Sequence, residues 1–463
     1  MEQRPHPIYI VYDAKKWIPL LLIPVLRALF APRDAIYILF SSLRDTGLAA
    51  LLIAYSTAKW RTARYRLHCG LSLKQGIVVH RTLRVAPGEA ASIEMERTPL
   101  MALVGGRRIR VNTAGLRRRA DATLYLSTGD ARDLLHMDGK RREGTYRARI
   151  WPVVMMAASS SNAALGLLTL APAVRQAGEI LGRELPNKVY GLVGRLLSIG
   201  LPPALESVAN ILVLGWGLAF LRSLLRYLRF HARQKGGQLH LISGLFTRRD
   251  VLIDSQRITA LEFRQTLFMR LFRLYTATIT AAGYGREKGA RPVVVPAARQ
   301  KELCSALDFL LPDYPICTGS LRPKRSSLFR YISAPLWLTA GAILPFRLGG
   351  VWNMAGLIWL IGGIWWLTIR FLAYQRAGFG VGRGAVVMRY SRGLALYEVH
   401  VPIEVADCVI LTRSIWQRHS GTCNIELRCF GEKRRRHRVF ALPYEQAQAL
   451  IDRLLSLQET QSR

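Results

Sequence analysis

The chain has 463 residues, half of them hydrophobic, and carries a formal net charge of +36, with 66 Lys and Arg against 30 Asp and Glu. A chain disordered along its whole length is excluded, because such chains lack apolar residues to bury. A soluble nucleic-acid-binding protein can be this basic, but it rarely remains this apolar. Apolar membrane spans that alternate with basic, water-exposed domains reconcile the two properties.

The N-terminal segment, residues 1–58, contains two apolar runs, Trp17–Ala31 and Ala35–Ala58. The second run is interrupted by Arg44 and Asp45. Charges inside a membrane span are costly, although a neighbouring Arg–Asp pair reduces the penalty. The pattern predicts either a transmembrane hairpin or a pair of interfacial helices, and we expect the hairpin.

A second hairpin is predicted over residues 151–221. Its first span, Trp151–Val174, has 24 residues without a charge, and its second span, Ile199–Leu221, has Glu206 as its only charge. About 20 predominantly apolar residues suffice for a helix to cross a membrane. Both runs therefore meet the length requirement for a transmembrane helix.

A third hairpin is predicted over residues 328–369. Val351–Ile369 is a run of 19 residues without a charge, and Tyr331–Phe346 gives 16 more just upstream. Only residues 347–350 separate the two runs. The spacing predicts two antiparallel helices joined by a very short turn.

Three basic segments follow these apolar pairs. Residues 59–150, 222–330 and 370–463 carry net charges of +12, +13 and +7, which is +32 of the total +36. Positive charge close to span ends stays on the cytoplasmic side of a membrane. Since each segment follows an even number of predicted spans, one topology places all three inside, together with the N-terminus. We therefore predict three cytoplasmic domains, at residues 59–150, 222–327 and 370–463.

The basic segments contain internal repeats. A small hydroxyl residue followed by apolar residues recurs as Thr98, Thr266 and Ser414. Before it, apolar and polar residues alternate around glycine turns, as in Gly237–Asp254 and Gly384–Val401, which predicts antiparallel strand pairs. After it, a short apolar strand ending in proline leads into an amphipathic helix in the second and third segments. The repeats predict one small β domain with a closing helix in each segment.

The ordered set ISGLFTRRDVLID, SQRITALEFRQTLFMRLFRLYTATITAAG, and VVVP before a helix resembles the membrane-flanked bacterial pleckstrin-homology-like (PH-like) domain proteins, whose larger members carry three such domains. The resemblance implies an α+β membrane protein in which transmembrane helical hairpins alternate with three small PH-like β-barrel or bent-sheet domains. Each domain is closed by a C-terminal helix, and the domain at residues 59–150 is divergent. The resemblance also implies a multi-pass protein of the bacterial inner (plasma) membrane.

The candidate binding residues are arginines in or beside predicted strand turns. They are Arg107, Arg108, Arg248, Arg249, Arg434, Arg435 and Arg436. Anionic lipid attracts each nearby Lys or Arg by about 1 kcal/mol. The alternative is that these arginines only set topology and solubility. The sequence does not separate the two roles, because both require the same residues.

The sequence indicates no catalytic, cofactor or metal site. The six cysteines form no Cys-x-x-Cys motif, and no His-Glu-x-x-His is present. The glycines at residues 380–384 lack the Lys-Ser/Thr that follows them in a phosphate loop, and they predict a turn between strands. Nucleic-acid binding is not expected either, because no recognition motif accompanies the charge.

The leading hypothesis is a non-enzymatic scaffold whose basic domains bind anionic lipid or a partner protein at the membrane surface. The resemblance implies that the partner is a smaller membrane protein with one PH-like domain, and that the role concerns envelope stress or defence. The alternative is a component of a transport or export system. That alternative would use the intramembrane polar residues Arg44, Asp45 and Glu206.

Overall fold

The computed structural model describes residues 2–14, 16, 35–67, 70–77, 79–86, 88–113, 122–131, 145–160, 203–281, 292–317, 319–350, 352–429 and 436–462. The chain divides into two compact units. The first unit comprises residues 1–143, 235–242 and 246–254, and the second comprises residues 144–234, 243–245 and 255–463.

Helices and strands are mixed throughout the described chain, which confirms the predicted α+β class. The helices are α1 (Ile8–Ala14), α2 (Ala35–Thr62), α3 (Pro99–Val104), α4 (Ile150–Ser160), α5 (Pro203–Tyr227), α6 (Leu267–Leu271), α7 (Gln300–Leu310), α8 (Leu328–Ala340), α9 (Ile343–Leu348), α10 (Trp352–Arg376), α11 (Ile415–His419) and α12 (Tyr444–Ser462). The strands are β1 (Arg64–Arg66), β2 (Leu71–Gln75), β3 (Arg81–Val85), β4 (Ala90–Arg97), β5 (Gly106–Thr113), β6 (Ala122–Ser127), β7 (Thr145–Arg147), β8 (His231–Lys235), β9 (Gln238–Ser243), β10 (Arg248–Asp254), β11 (Ile258–Thr266), β12 (Leu274–Ala281), β13 (Val293–Arg299), β14 (Gly378–Val381), β15 (Ala385–Arg392), β16 (Ala395–Pro402), β17 (Ala406–Thr412), β18 (Thr422–Cys429) and β19 (His437–Pro443).

In the first unit, strands from two basic segments share one sheet. Those of its strands that belong to the first unit follow the order β6-β5-β4-β10-β9, and β4 pairs with β10 in antiparallel register over Arg97↔Arg248 to Ser92↔Ile253. A smaller sheet, β1-β2-β3, covers the core that contains Tyr65. Strand β10 of the second basic segment therefore extends the sheet of the first basic segment.

The second unit repeats this arrangement one segment later. Its six-stranded sheet has the order β13-β12-β11-β16-β15-β14, in which β11 pairs with β16 over Leu261↔His400 to Thr266↔Ala395. A three-stranded sheet, β17-β18-β19, and helix α12 enclose the core of the third basic segment. The buried strand residues alternate with exposed ones less strictly here, since several strands are covered on both faces.

Of the two predicted alternatives, a β-barrel or a bent sheet, the barrel is wrong for the described strands, which form open sheets. A strand edge that lacks a partner exposes unpaired N–H and C=O groups, and barrels remove such edges by closing on themselves. In this chain β4 and β11 instead pair with β10 and β16 of the following segments. The neighbouring segment thus supplies the edge partner that closure would otherwise provide. The predicted division of the chain into three apolar hairpin segments and three basic domains stays a prediction.

Among the described helices, only one is long and apolar enough to cross a membrane, over Ala355–Arg376 in α10. The predicted alternation of three transmembrane hairpins is therefore not supported beyond this helix. In the third hairpin α8 has 13 residues and ends before Gly341, so it is too short alone. The predicted span Trp17–Ala31 and most of Trp151–Val174 lie outside the described residues.

Helices α8 and α10 nevertheless pack as an antiparallel pair with apolar side chains on the outside. The indole Nε1 of Trp359 donates a hydrogen bond to the Leu338 carbonyl at 2.9 Å. A Cβ at Gly363 would lie 2.5 Å from Thr339 Oγ1, so α10 approaches α8 closely at this glycine. Trp337, on the outer face of α8, is 73% exposed.

Two adjacent glycines of α10 allow a matched test of this packing. We expect Gly363→Leu to destabilise the helix pair by about 1–3 kcal/mol, because its side chain would force α8 away. Gly362→Leu should have little effect, because a Cβ there meets no atom within 4 Å. Thermal unfolding of the full chain in detergent would measure both. Equal losses in the two variants would contradict the packed pair.

Candidate functional site

The repeated hydroxyl residues cap three equivalent short helices. Thr98, Thr266 and Ser414 are the N-cap residues of α3, α6 and α11, and all three have φ near −80° and ψ near 163°. In each case the hydroxyl oxygen accepts a hydrogen bond at 3.3 Å from the backbone N–H of the third helical residue. The sequence motif therefore marks a local structure that occurs once in each basic segment.

Each capped helix buries one residue and exposes an apolar end. The third helical residue is Met101, Met269 or Gln417, and each is at most 1% exposed. The exposed apolar side chains, here called the apolar tips, are Leu100, Leu103 and Val104 on α3, Phe268 and Leu271 on α6 with the adjoining Phe272, and Ile415 and Trp416 on α11. Leu103 is 88% exposed and Trp416 is 83% exposed. Exposed large apolar groups therefore recur at the same position in all three basic segments.

The first tip lies at the base of the N-terminal helices. Met101 packs with Ile8 and Tyr9 of α1 and with Trp60 near the end of α2. The Tyr12 hydroxyl shares a hydrogen bond of 2.7 Å with the Thr98 hydroxyl. The capping residue is thereby tied directly to α1.

The second tip lies at the base of α4 and α5. Met269 of α6 packs with Met155 and Met156 of α4 and with Tyr227 at the end of α5. Helices α4 and α5 in turn contact each other, and the Trp216 indole donates to the Ala158 carbonyl at 3.3 Å.

The third tip lies at the base of α8. Arg330 of α8 donates from Nη2 to the Ser414 hydroxyl at 3.5 Å. The neighbouring Tyr331 donates its hydroxyl to the Phe440 carbonyl at 2.7 Å, which ties α8 to β19. Each of the three tips therefore lies beside the helices that precede its own β domain.

Four of the predicted arginines have ion-pair partners that sequence reasoning did not identify, and three of the four lie on β10 and β5. Arg249, Glu96 and Arg108 stand in register on the adjacent strands β10, β4 and β5. Glu96 pairs with Arg108, and one of its oxygens lies 3.7 Å from Arg249 Nη2. Burial raises the pKa of Glu96, but Arg108 and, to a smaller extent, Arg249 and Arg110 lower it more, so the pKa is below its ordinary value. Arg248 pairs with Asp250 at 3.3 Å.

The other predicted arginines are distributed differently. Arg107 donates from Nη1 to Met95 Sδ at 3.2 Å, across β5 and β4. Arg436 is largely exposed and lies 3.4 Å from Glu426. Arg434 and Arg435 are outside the described residues. The role of the predicted arginines in lipid binding stays a prediction.

The predicted intramembrane polar residues lie on long helices. Arg44 and Asp45 belong to α2, and Glu206 belongs to the first turns of α5. Their side chains are outside the described part of the structure. The intramembrane site stays a prediction.

Sequence reasoning missed a buried carboxylate at the base of the N-terminal helices. Asp13 is 2% exposed and accepts from Lys16 at 2.6 Å and from Lys59 at 3.1 Å. Burial raises the pKa of Asp13, but the hydrogen bonds from the two lysines outweigh it and lower that pKa. The sequence feature that could have indicated this carboxylate is the single aspartate in the otherwise apolar IYIVYDA segment.

Comparison with known proteins gives two matches. The family model for the bacterial PH domain matches residues 189–309 and 335–458. The chain is also similar to the UPF0699 transmembrane protein YdbT of Bacillus subtilis (strain 168), with 21% identity over 381 residues, or 74% of this chain and 76% of that protein. No solved structure matches the chain.

Proposed function

Because the chain belongs to the bacterial PH domain family, we propose that it is a multi-pass protein of the bacterial inner membrane and acts as a non-enzymatic scaffold. Its PH-like domains lie on the cytoplasmic face, and each contacts the anionic leaflet through its apolar tip. The single observation that carries this proposal is the repeated position of the tips, each at the base of its own helices.

Direct continuity between α10 and the third β domain supports a membrane-surface position. Helix α10 ends at Arg376, and β14 begins at Gly378, so no flexible linker separates the two. The relative from Bacillus subtilis is named a transmembrane protein, which agrees with a membrane position for this chain. A domain joined to a membrane helix in this way remains within reach of the headgroups.

The chemistry of the tips suits a lipid surface. Trp side chains favour the boundary between headgroups and acyl chains, because the indole ring is apolar but carries a polar N–H. Phe side chains bury in the acyl side of that boundary. Trp416 and Phe268 hold the same position, the second residue of α11 and of α6. The net charge of +36 adds attraction to anionic lipid around these contacts.

Lipid cross-linking of the full chain tests this proposal. The chain is reconstituted in vesicles that contain phosphatidylglycerol and a lipid with a photoreactive group near the headgroup, and labelled peptides are mapped by mass spectrometry. We expect labels at residues 99–104, 267–272 and 415–419, besides α10. Labels on α10 with none at the three tips would contradict the surface contact.

A matched pair of substitutions sharpens this experiment. Trp416→Glu should reduce labelling of residues 415–419 by about tenfold, because it removes an apolar contact and adds a charge that anionic lipid repels. Leu455→Glu on α12 is the control, because Leu455 is also an exposed apolar residue but lies on the closing helix. Undiminished labelling in Trp416→Glu would count against insertion of this tip.

The cross-linking experiment requires the full-length chain. The isolated segment 222–330 would lose the partners of β10 and β11, which are β4 and β16. Two unpaired strand edges would then favour association of copies with each other rather than with lipid. The smaller PH-like partner and the role in envelope stress or defence stay predictions from the resemblance.

A further inference from the structure

A cleft of about 970 Å³ lies in the second unit between α6, the start of α7 and the end of α10. Five cationic side chains line it: Arg270, Arg273, Arg299, Lys301 and Arg376. None of the five belongs to the arginine runs that the sequence singled out. The cleft therefore concentrates positive charge at a place that sequence order does not reveal.

This charge is not neutralised by the side chains that line the cleft. Glu302 is the only carboxylate among them, and it pairs at 3.0 Å with Arg149, outside the lining. Arg270 Nη1 is buried and has no hydrogen-bond partner. Burial and the neighbouring Arg376 lower the pKa of Arg270. A buried donor without a partner is costly, and an anion would relieve both the lost hydrogen bond and the repulsion.

The second arginine is held in position by neutral groups. Arg376 donates from Nη1 to Gln265 Oε1 at 2.9 Å, and its Nη2 lies 3.5 Å from the Tyr275 hydroxyl. Gln265 is itself fixed by donating to the Leu274 carbonyl at 3.1 Å. A guanidinium oriented without a carboxylate partner is prepared for a phosphate, which it binds through paired hydrogen bonds.

The first turn of α7 adds to the positive potential of the cleft. Its N-cap residue, Arg299, makes no side-chain cap hydrogen bond, and Gln300, Lys301 and Glu302 of this turn line the cleft. The N-terminus of a helix carries a partial positive charge, which favours an anion. This contribution supplements the arginines.

The position of the cleft identifies the source of the anion. Arg376 is the last residue of the helix that can cross a membrane, so the cleft opens at the depth of the lipid headgroups. Leu271 and Phe272 of the second apolar tip also line it and are exposed. A ligand with a phosphate and adjoining acyl chains matches cationic and apolar side chains placed next to each other.

We propose that this cleft binds the headgroup phosphate of one anionic phospholipid molecule, held by Arg270 and Arg376. The inference rests on the proposed membrane-surface function and names a specific lipid site within it. It does not involve Arg107, Arg108, Arg248 or Arg249.

Native mass spectrometry of the full chain in detergent tests the site, with phosphatidylglycerol and phosphatidylcholine added at equal concentrations. We expect the wild type to retain one phosphatidylglycerol in preference to phosphatidylcholine. Arg270→Gln should weaken that binding by about tenfold, as for the loss of a charge-assisted hydrogen bond. Arg383→Gln, which removes one exposed arginine from the β14–β15 turn, should leave it unchanged.

A stability measurement separates a lipid site from a structural role. Without lipid, Arg270→Gln should raise the melting temperature of the full chain, because it removes a charge that Arg376 repels. A structural arginine would instead lower the melting temperature when replaced. Lys301→Gln, at the exposed edge of the cleft, is a second variant that should fold normally and weaken lipid retention.

Three outcomes would overturn the inference. The first is wild-type retention of phosphatidylglycerol in Arg270→Gln, and the second is equal retention of both lipids by the wild type. The third is competition by millimolar inorganic phosphate that removes the lipid preference completely, which would assign the cleft to a free phosphate. Labelling of the apolar tips in the cross-linking experiment is independent of these outcomes, so the proposed function can stand if the cleft fails.

Discussion

Glu96→Gln is expected to destabilise the first unit by about 3 kcal/mol, because removal of one member of a buried ion pair leaves its partner charge uncompensated. Glu96 is the central residue of the row Arg249–Glu96–Arg108, which crosses three adjacent strands. Its loss would leave two arginines facing each other across β4. Thermal unfolding of the full chain in detergent would measure the change.

Glu94→Gln is the matched control for this variant. Glu94 lies two residues earlier on β4 and is as buried as Glu96, at 7% exposed. It has a single arginine, Arg110, at 3.6 Å, and its position on β10 is taken by Val251. We expect a smaller loss, of about 1 kcal/mol, because one arginine at this longer distance loses its partner rather than two. An equal loss from both variants would show that the three-strand row has no special role.

The difference between wild type and Glu96→Gln should depend on pH with a defined sign. The pKa of Glu96 is lowered in the folded protein, so its carboxylate stabilises the fold above its ordinary pKa of 4.5. This stabilisation is lost as the pH falls through the lowered value. The stability gap between the two proteins should therefore be full at pH 7 and shrink below pH 4.5.

Gly380→Ala is expected to destabilise the second unit by about 3 kcal/mol, at the upper end of the cost of overpacking. A Cβ on Gly380 of β14 would overlap the carbonyl oxygen of Gly319, and backbone atoms cannot move aside as a flexible side chain can. The segment that contains Gly319 and Leu321 crosses β14 here, and an isolated β-bridge joins Leu321 to Phe379 of β14. The variant would thus separate this segment from β14.

Gly384→Ala is the control for Gly380→Ala. It belongs to the same glycine-rich stretch, but its Cβ would meet only the side chain of Pro315, at 3.2 Å. We expect a loss below about 1 kcal/mol, because a small shift of the proline relieves the contact. Unfolding temperatures that fall equally would contradict the close crossing at Gly380. The chain crossing thus accounts for Gly380, whereas Gly382 and Gly384 lie in the predicted turn between two strands, here β14 and β15.

The repeat of Thr98, Thr266 and Ser414 is visible in the sequence, but the short helices that these residues cap were not predicted from it. The antiparallel strand pairs β9–β10 and β15–β16 were predictable, because their signals are local: glycine turns separate alternating runs. These features need no knowledge of distant residues.

The shared sheets and the cleft were not predictable in this way. The pairings β4–β10 and β11–β16 join strands from different segments, and each of these strands has the same alternating pattern whichever partner it takes. The ion-pair partners of the arginines were not predictable either. Arg108 and Arg249 are ordinary basic residues in sequence, and only the register with Glu96 shows that they are paired. Arg270 and Arg376 are brought together by the fold alone.

The pairing of β4 with β10 also imposes an order on biosynthesis. Residues 151–221 separate the two strands, and in the proposed topology they enter the membrane before β10 has been synthesised. During that interval the edge of β4 is open and can recruit a wrong strand, including β4 of another nascent copy. In that topology, correct assembly of the first unit depends on how fast residues 151–221 are inserted. Slower insertion should increase aggregation of the newly made chain without any change in the stability of the mature protein.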